Sequence, residues 1–279
     1  MKKITLSLLA LSAVAFGADS AQLEADIAAA SEAAKAADAK LKALVAQRPQ
    51  DQSIHSNVKL GYMKTDGNSN TETFSLNAKA TKNWGANSLK ITLDMQYGNA
   101  DTIVNNVTMN EVNKEKYFGE LEYGYKFTGT LSATAVLGYK NDKFSSYNYQ
   151  SYIGPGVKYQ SYKSDRQDLN LEASLLYSQD EVMEKYTPTD LEDKYGSYKA
   201  KALYELKIID DLKFNQELSY RASMDESTNY FVFSKSELSS KISDMFSAGI
   251  AYQIDYSNIV ADDVEERDNT LTAFLSIDY

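Results

Sequence analysis

The chain has 279 residues with 29 basic and 39 acidic side chains, one histidine, three prolines and no cysteine, for a formal charge of −10. Without cysteine there is no disulfide framework, thiolate metal site or cysteine nucleophile, and one histidine excludes any two-histidine metal site. A net acidic chain without a basic patch is a poor nucleic-acid binder, while 21 tyrosines against ten phenylalanines and one tryptophan call for an explanation.

Met1-Lys2-Lys3 is a short positive start. An apolar run over residues 4–16 follows, then small residues at Gly17, Ala18, Ser20 and Ala21. This is the pattern of a secretory signal peptide, assigned to residues 1–19. The run is too short to cross a bilayer as a helix, which needs about 20 residues. Residues 20–48 are alanine-rich and free of glycine and proline, which favours helix. Leu23, Ile27, Ala30, Ala34, Ala37, Leu41 and Leu44 alternate spacings of four and three, an a/d seam with alanine in its middle. Such a seam buries little area, so the module reads equally as a weak periplasmic oligomerisation or docking helix and as a solvated spacer. Arg48-Pro49 ends it, because the residue before proline is pushed out of helical geometry. Residues 49–53 are a linker.

From residue 54 the period changes to two. Leu89, Ile91, Leu93, Met95 and Tyr97 alternate with Lys90, Thr92, Asp94 and Gln96. Twelve such segments centre near residues 59, 77, 93, 122, 136, 156, 174, 203, 217, 236, 251 and 274, each expected to run for about ten to twelve residues, the span of a membrane strand. Tight links near 83–87, 128–130, 163–167, 209–211 and 243–244 alternate with mostly longer polar ones at 65–70, 100–115, 141–149, 180–195, 223–228 and 258–268. An antiparallel meander with a short-turn rim and a long-loop rim produces this alternation. An even strand number puts both ends of the barrel at the short-turn rim. Gly154-Pro155-Gly156 interrupts one segment. Proline donates nothing to a ladder, so a bulge or kink is expected there.

The tyrosines acquire positions in this scheme. Tyr62, Tyr97, Tyr139, Tyr177, Tyr220 and Tyr256 fall near the long-loop end of alternate strands, and Tyr117, Tyr152, Tyr198 and Tyr230 open the returning ones. Leu89 to Tyr97, Leu131 to Tyr139, Leu169 to Tyr177 and Leu212 to Tyr220 are each eight apart. Eight tilted strand residues climb roughly 20 Å, approaching the ~25 Å apolar band of an outer-membrane barrel. Trp84, Phe127, Tyr159, Phe246 and Tyr279 fall near the opposite rim. Amphipathic rings settle at headgroup level, so two aromatic girdles are expected on the lipid face. Leu271, Ala273, Leu275, Ile277 and the terminal Tyr279 alternate as the last strand of bacterial outer-membrane barrels does, a strand through which the assembly machinery is expected to act. A soluble sandwich or lipocalin-like barrel would reverse the wet and dry faces.

The opposite faces offer Lys59, Lys79, Lys90, Lys126, Lys140, Lys199, Lys201, Lys207, Lys213 and Arg221 against Asp94, Glu120, Glu122, Glu172, Glu205, Glu217, Asp255 and Asp278. A lumen so nearly balanced suits crosslinking or a narrow, weakly selective pore, since a strongly selective one carries one sign in excess. The acidic surplus then lies in the outer loops.

Little catalytic or metal chemistry survives inspection, and no cofactor is expected. His55-Ser56 invites comparison with a histidine–serine lipase barrel, but adjacent strand residues point to opposite faces. Asp66-Gly67-Asn68-Ser69-Asn70 opens like a calcium loop, yet Thr71 stands where glycine is needed and Asn77 where the bidentate glutamate belongs. The acidic run at 262–268 reads as a solvated loop.

Thr65-Asp66-Gly67-Asn68-Ser69-Asn70-Thr71-Glu72-Thr73-Phe74 resembles the Thr-Gly-Asn-Thr-Asn-Thr stretch that opens the YdiY-like family of salt-induced outer-membrane proteins. The resemblance covers roughly residues 55–279, departs from the pattern at Asp66, and does not extend to the alanine-rich helix. It implies an outer-membrane barrel of unsettled function and supplies no catalytic residue. The expectation is therefore an all-β chain: a twelve-stranded antiparallel transmembrane β-barrel over residues 54–279, preceded by a short N-terminal α-helix. It would be non-enzymatic and channel-like or envelope-structural. An outer-leaflet hydrolase and a soluble ligand-binding barrel are the alternatives. Outer-membrane lipid is the expected partner, with a second copy of the chain through the helix, and no nucleic acid.

Overall fold

The structure, a computed structural model, describes residues 54–65, 71–104, 107–183, 193–260 and 264–279, together with Glu32. Glu32 is helical. The rest of the expected signal peptide, helix and linker, and the loop 66–70, lie outside the described residues.

Twelve strands follow in chain order: β1 (Ile54–Thr65), β2 (Thr71–Trp84), β3 (Asn87–Val104), β4 (Val107–Lys126), β5 (Leu131–Asp142), β6 (Tyr147–Lys163), β7 (Gln167–Val182), β8 (Lys194–Ile209), β9 (Leu212–Ser223), β10 (Tyr230–Lys241), β11 (Phe246–Ser257) and β12 (Arg267–Asp278). Each pairs antiparallel with its sequence neighbours, and β1 pairs with β12, so the sheet closes on itself. At the seam Val58 faces Ile277 and Leu60 faces Leu275. The Ser56 amide donates to the Tyr279 carbonyl at 2.7 Å and the Tyr279 amide to the Ser56 carbonyl at 2.8 Å. The start of β1 and the end of β12 therefore meet at the short-turn rim. Closure leaves no unpaired edge, so every strand finds ladder partners on both sides.

Three local expectations need correction. The strands run from 12 to 20 residues rather than ten to twelve. The segment 100–115 is not an open loop: β3 and β4 continue through it as one long hairpin, with Val104 paired to Val107 and an irregularity between Gly98 and Asn99. Alternating polar residues pair as readily as apolar ones where both strand faces are wet, so polarity alone misplaced this boundary. Finally, Gly154-Pro155-Gly156 carries no bulge. The register passes from Ile153↔Tyr177 to Gly156↔Ser174 without slippage, and the irregularities of β6 fall instead between Tyr147 and Tyr149 and between Gln160 and Tyr162. Glycine is needed at 154 because a Cβ there would strike the Leu175 carbonyl oxygen. The two strands approach closely where proline withholds its N–H.

Burial is inverted relative to a water-soluble domain. Among the described residues the buried set has eight apolar side chains and twenty polar or charged ones. Leu60, Ile91, Leu93, Leu121, Leu137, Ile153, Leu175, Ile250 and Leu271 are exposed on the outer wall. Among the buried side chains, Val136, Tyr152 and Leu176 pack into a small apolar cluster.

Candidate functional site: the lumen and its vestibule

Contacts between strands that are not sheet neighbours reach through the interior, which identifies the inner face directly. Lys116 of β4 pairs with Asp255 of β11 at 2.7 Å. Lys59 of β1 reaches Glu237 of β10 at 2.5 Å, and Lys235 shares that carboxylate at 3.3 Å. Lys79 of β2 stands 3.9 Å from Glu217 of β9. Lys199 and Lys201 of β8 hold Glu120 of β4 at 2.7 and 3.3 Å, and Lys201 also holds Glu172 at 3.3 Å. Lys158 joins Glu172 to Glu122, which Lys90 reaches at 3.4 Å. Asp94 accepts from Asn77 at 3.1 Å and from Gln96 at 3.4 Å. Lys126, Glu205 and Lys213 share the inner face by strand alternation nearer the short-turn rim. The ion pairs between distant strands tie opposite walls together, and each paired ion has an opposite charge to replace the water it lost.

Higher in the barrel, Arg221 on β9 binds Asp180 on β7 in bidentate fashion, at 2.8 and 3.2 Å, and donates to Ser178 at 3.0 Å. Tyr195 donates its hydroxyl to the same carboxylate at 2.5 Å. The guanidinium lies 4.5 Å from the Phe231 ring centroid and 5.5 Å from that of Tyr152. Two planar hydrogen bonds with flanking π-faces hold an arginine rigidly, which a lysine would not allow.

Tyr152 overturns one girdle assignment. It lies inside, buried, donating to Glu120 at 2.5 Å and accepting from Lys199 at 2.9 Å. Its ring lies against Gly138, where any Cβ would collide with it. The parity explains the error: Ile153 and Tyr159 are exposed outside, and Tyr152 is one and seven residues from them, hence on the other face. Tyr149 takes the outer place and stacks on Tyr139, with centroids 5.9 Å apart. Tyr62, Tyr97, Tyr117, Tyr139, Tyr177, Tyr198 and Tyr279 are exposed. Tyr198, Tyr220, Tyr230 and Tyr256 form a run of neighbouring rings across β8 to β11, at 6.0, 5.7 and 5.9 Å.

Lys114, Lys116, Lys158, Lys235, Asp180, Glu237 and Tyr195 also face inward, and the sequence reading missed them. Asp180 and Tyr195 sit where polarity suggested a loop. Lys235 and Glu237 follow Phe231-Val232-Phe233, an unbroken apolar run with no legible inside.

A cavity of about 560 Å³ opens under the long-loop rim. Phe144, Ser146, Val260 and Glu266 border its mouth; Asn77, Lys79 and Glu217 lie at its floor. Ser56 donates its hydroxyl to the Tyr279 carbonyl at 3.3 Å, at the seam of the barrel and on the opposite strand face from His55.

Fold and lumen thus define an inside-out closed β-barrel: apolar on its outer wall, ionic and crosslinked within. Residues 58–279 match the family described as "Protein of unknown function, DUF481", and the chain belongs to that family. No curated protein matches it. Among solved structures it is similar to the NanC porin, at 12% identity over 80% of this chain and 97% of that one with a TM-score of 0.42. The KdgM porin in complex with disordered oligogalacturonate gives 9% identity over 80% and 99% with a TM-score of 0.43. The translocator domain of the autotransporter NalP from Neisseria meningitidis gives 10% over 94% and 99% with 0.44.

Proposed function

We propose that the protein is an integral barrel of the bacterial outer membrane, without enzymatic activity, whose lumen is a narrow and weakly selective channel. One observation carries this reading. Large apolar side chains stand exposed around the outer wall while charged ones are buried inside. In water a contiguous apolar surface of this extent is unfavourable, whereas in lipid it is the favoured exterior. A closed ladder also satisfies the backbone where no water reaches it. The signal peptide would deliver the chain across the inner membrane. The short-turn rim would face the periplasm, and residues 20–48 would supply a helix able to pair with a second copy. The last strand would present the chain to the assembly machinery. Within its family the 65–74 stretch supports membership of the YdiY-like group.

Single-channel recording on purified protein in a planar bilayer tests the channel. Small discrete conductance steps are expected; a silent bilayer containing correctly folded protein would sink it. The Lys116–Asp255 strut across the lumen favours a second reading, an envelope-structural barrel that conducts nothing, and the silent outcome selects it.

A further inference from the structure

The outer wall carries a polar interruption far from the lumen and its vestibule. Four strands each run eight residues from a leucine near the short-turn rim to a tyrosine of the girdle, and the residue midway lies in the middle of the apolar band. In β3, β5 and β7 that residue is Leu93, Ala135 or Ala173; in β9 it is Gln216. Alternation puts Gln216 outside, because Leu218 is exposed on the wall while Ser219 and Arg221 are buried within. Its register partner on β10 is Ser236, and Ser234 faces Leu218. The Gln216 amide nitrogen donates to the Ser234 hydroxyl and to the Glu217 carbonyl, both at 3.1 Å, and its side-chain carbonyl accepts from Ser236 at 2.5 Å. The row continues to Tyr204 on β8 and Tyr252 on β11, the register partners of Gln216 and Ser236.

An amide and two hydroxyls are costly in hydrocarbon, and bonds within the wall recover only part of that cost. The Gln216 carbonyl keeps a second lone pair, and the Ser234 hydroxyl, bonded as an acceptor, keeps a proton to donate. Polar side chains at this depth turn towards protein rather than lipid. The patch is its own complement, since it offers donors and acceptors together and no charge. Copies of one barrel insert in the same orientation, so a two-fold axis along the membrane normal sets each depth against itself. Gln216, Ser234 and Ser236 of one copy would then meet the same residues of the other. Apolar contact is available on either side: the rings of Tyr198, Tyr220, Tyr230 and Tyr256 run along the long-loop side, and Phe214 faces Leu238 on the short-turn side. We propose that the wall from β8 to β11 is a homodimer interface within the membrane, centred on Gln216, Ser234 and Ser236. The proposal rests on the reading of this wall as lipid-facing.

The chain has no cysteine, so introduced cysteines report contacts without background. Full-length Ser234→Cys and Ser236→Cys, each reconstituted in phosphatidylcholine vesicles and oxidised with copper phenanthroline, are the probes. At least one is expected to give a disulfide-linked dimer, which needs Cα atoms within about 7 Å. Leu93→Cys and Leu137→Cys, exposed elsewhere on the wall, are expected to stay monomeric. Sedimentation of the unaltered protein in detergent micelles should show a monomer–dimer equilibrium. The triple variant Gln216→Leu, Ser234→Val, Ser236→Val should weaken it at least about tenfold. Far-UV circular dichroism checks that each variant is folded. Absence of crosslinking at both serine positions, or equal crosslinking at the control positions, overturns the proposal. So does a purified protein that is monomeric throughout, as expected if lipid or a different protein covers the patch. An undiminished dimer in the folded triple variant would assign association to another surface and overturn it as well. Should the triple variant fail to fold, the cysteine comparison still decides. Extraction without detergent would end the membrane reading and this interface with it, whereas a folded, bilayer-inserted monomer would end the interface alone.

Discussion

Lys201 is 8% exposed and its partner Glu120 only 6%, so their charges depend on one another rather than on water. Removing one member of such a group leaves the other buried and underpaired, which costs about 3 kcal/mol or more. Lys201→Ala is expected to lower unfolding stability by that amount in urea titrations of the micelle-bound protein; a loss below about 0.5 kcal/mol, ordinary for surface positions, would show the lumen to be well hydrated there. Gly138 offers a second residue-scale test. Because the Tyr152 ring fills the space a side chain would need, Gly138→Val should destabilise by about 1–3 kcal/mol through overpacking. Made together with Tyr152→Ala, the same substitution should cost less than it does alone, and simple additivity of the two losses would contradict the proposed contact. Tyr152 also marks where residue-level reading stopped short. Aromatic identity suggested a girdle, but parity with Ile153 and Tyr159 was already present in the chain and pointed inward.

At the scale of the element, each strand divides its residues between two solvents. In β3, Leu93 is 52% exposed on the outer wall and Gln96 is 3% exposed within. A cation placed at Leu93 would sit in hydrocarbon if the wall is lipid-facing. Leu93→Arg is then expected to cost about 2–4 kcal/mol in phospholipid vesicles, measured by reversible unfolding. A soluble barrel would register only about ±0.5 kcal/mol at such a surface position. The alternation that makes this prediction possible was legible in β1, β3 and β12, where apolar and polar residues alternate cleanly. It was not legible in β10, because Phe231-Val232-Phe233 is apolar on both faces. The long β3–β4 hairpin was also invisible, since beyond the apolar band both faces of a strand can be polar and the period fades.

For the whole molecule, the number of charges inside matters less than how they connect. A nearly even mixture of signs was apparent in the sequence; that Lys116 reaches Asp255 across the lumen was not. This strut divides the bore, so its removal should widen the conducting path. Lys116→Ala combined with Asp255→Ala is expected to raise unit conductance in a planar bilayer while leaving the protein folded. Unchanged conductance in the double variant would place the narrowest point elsewhere. Removing both partners avoids leaving one buried charge alone, which would confound the measurement.

The chain's own pattern was enough to specify twelve antiparallel strands, their order and the side on which the ends meet, because a two-residue period and the lengths of turns are local properties. It could not specify which carboxylate each inward basic side chain would meet. Lys199 and Arg221 look alike along the strand, each flanked by a tyrosine and an alanine. Closure brings β4 opposite β8 and β11, and β7 within reach of β9, and so assigns partners from other strands to Lys116, Lys199 and Arg221. Charge pairing across a lumen depends on the curvature and register of the closed sheet, and no local period encodes those distances.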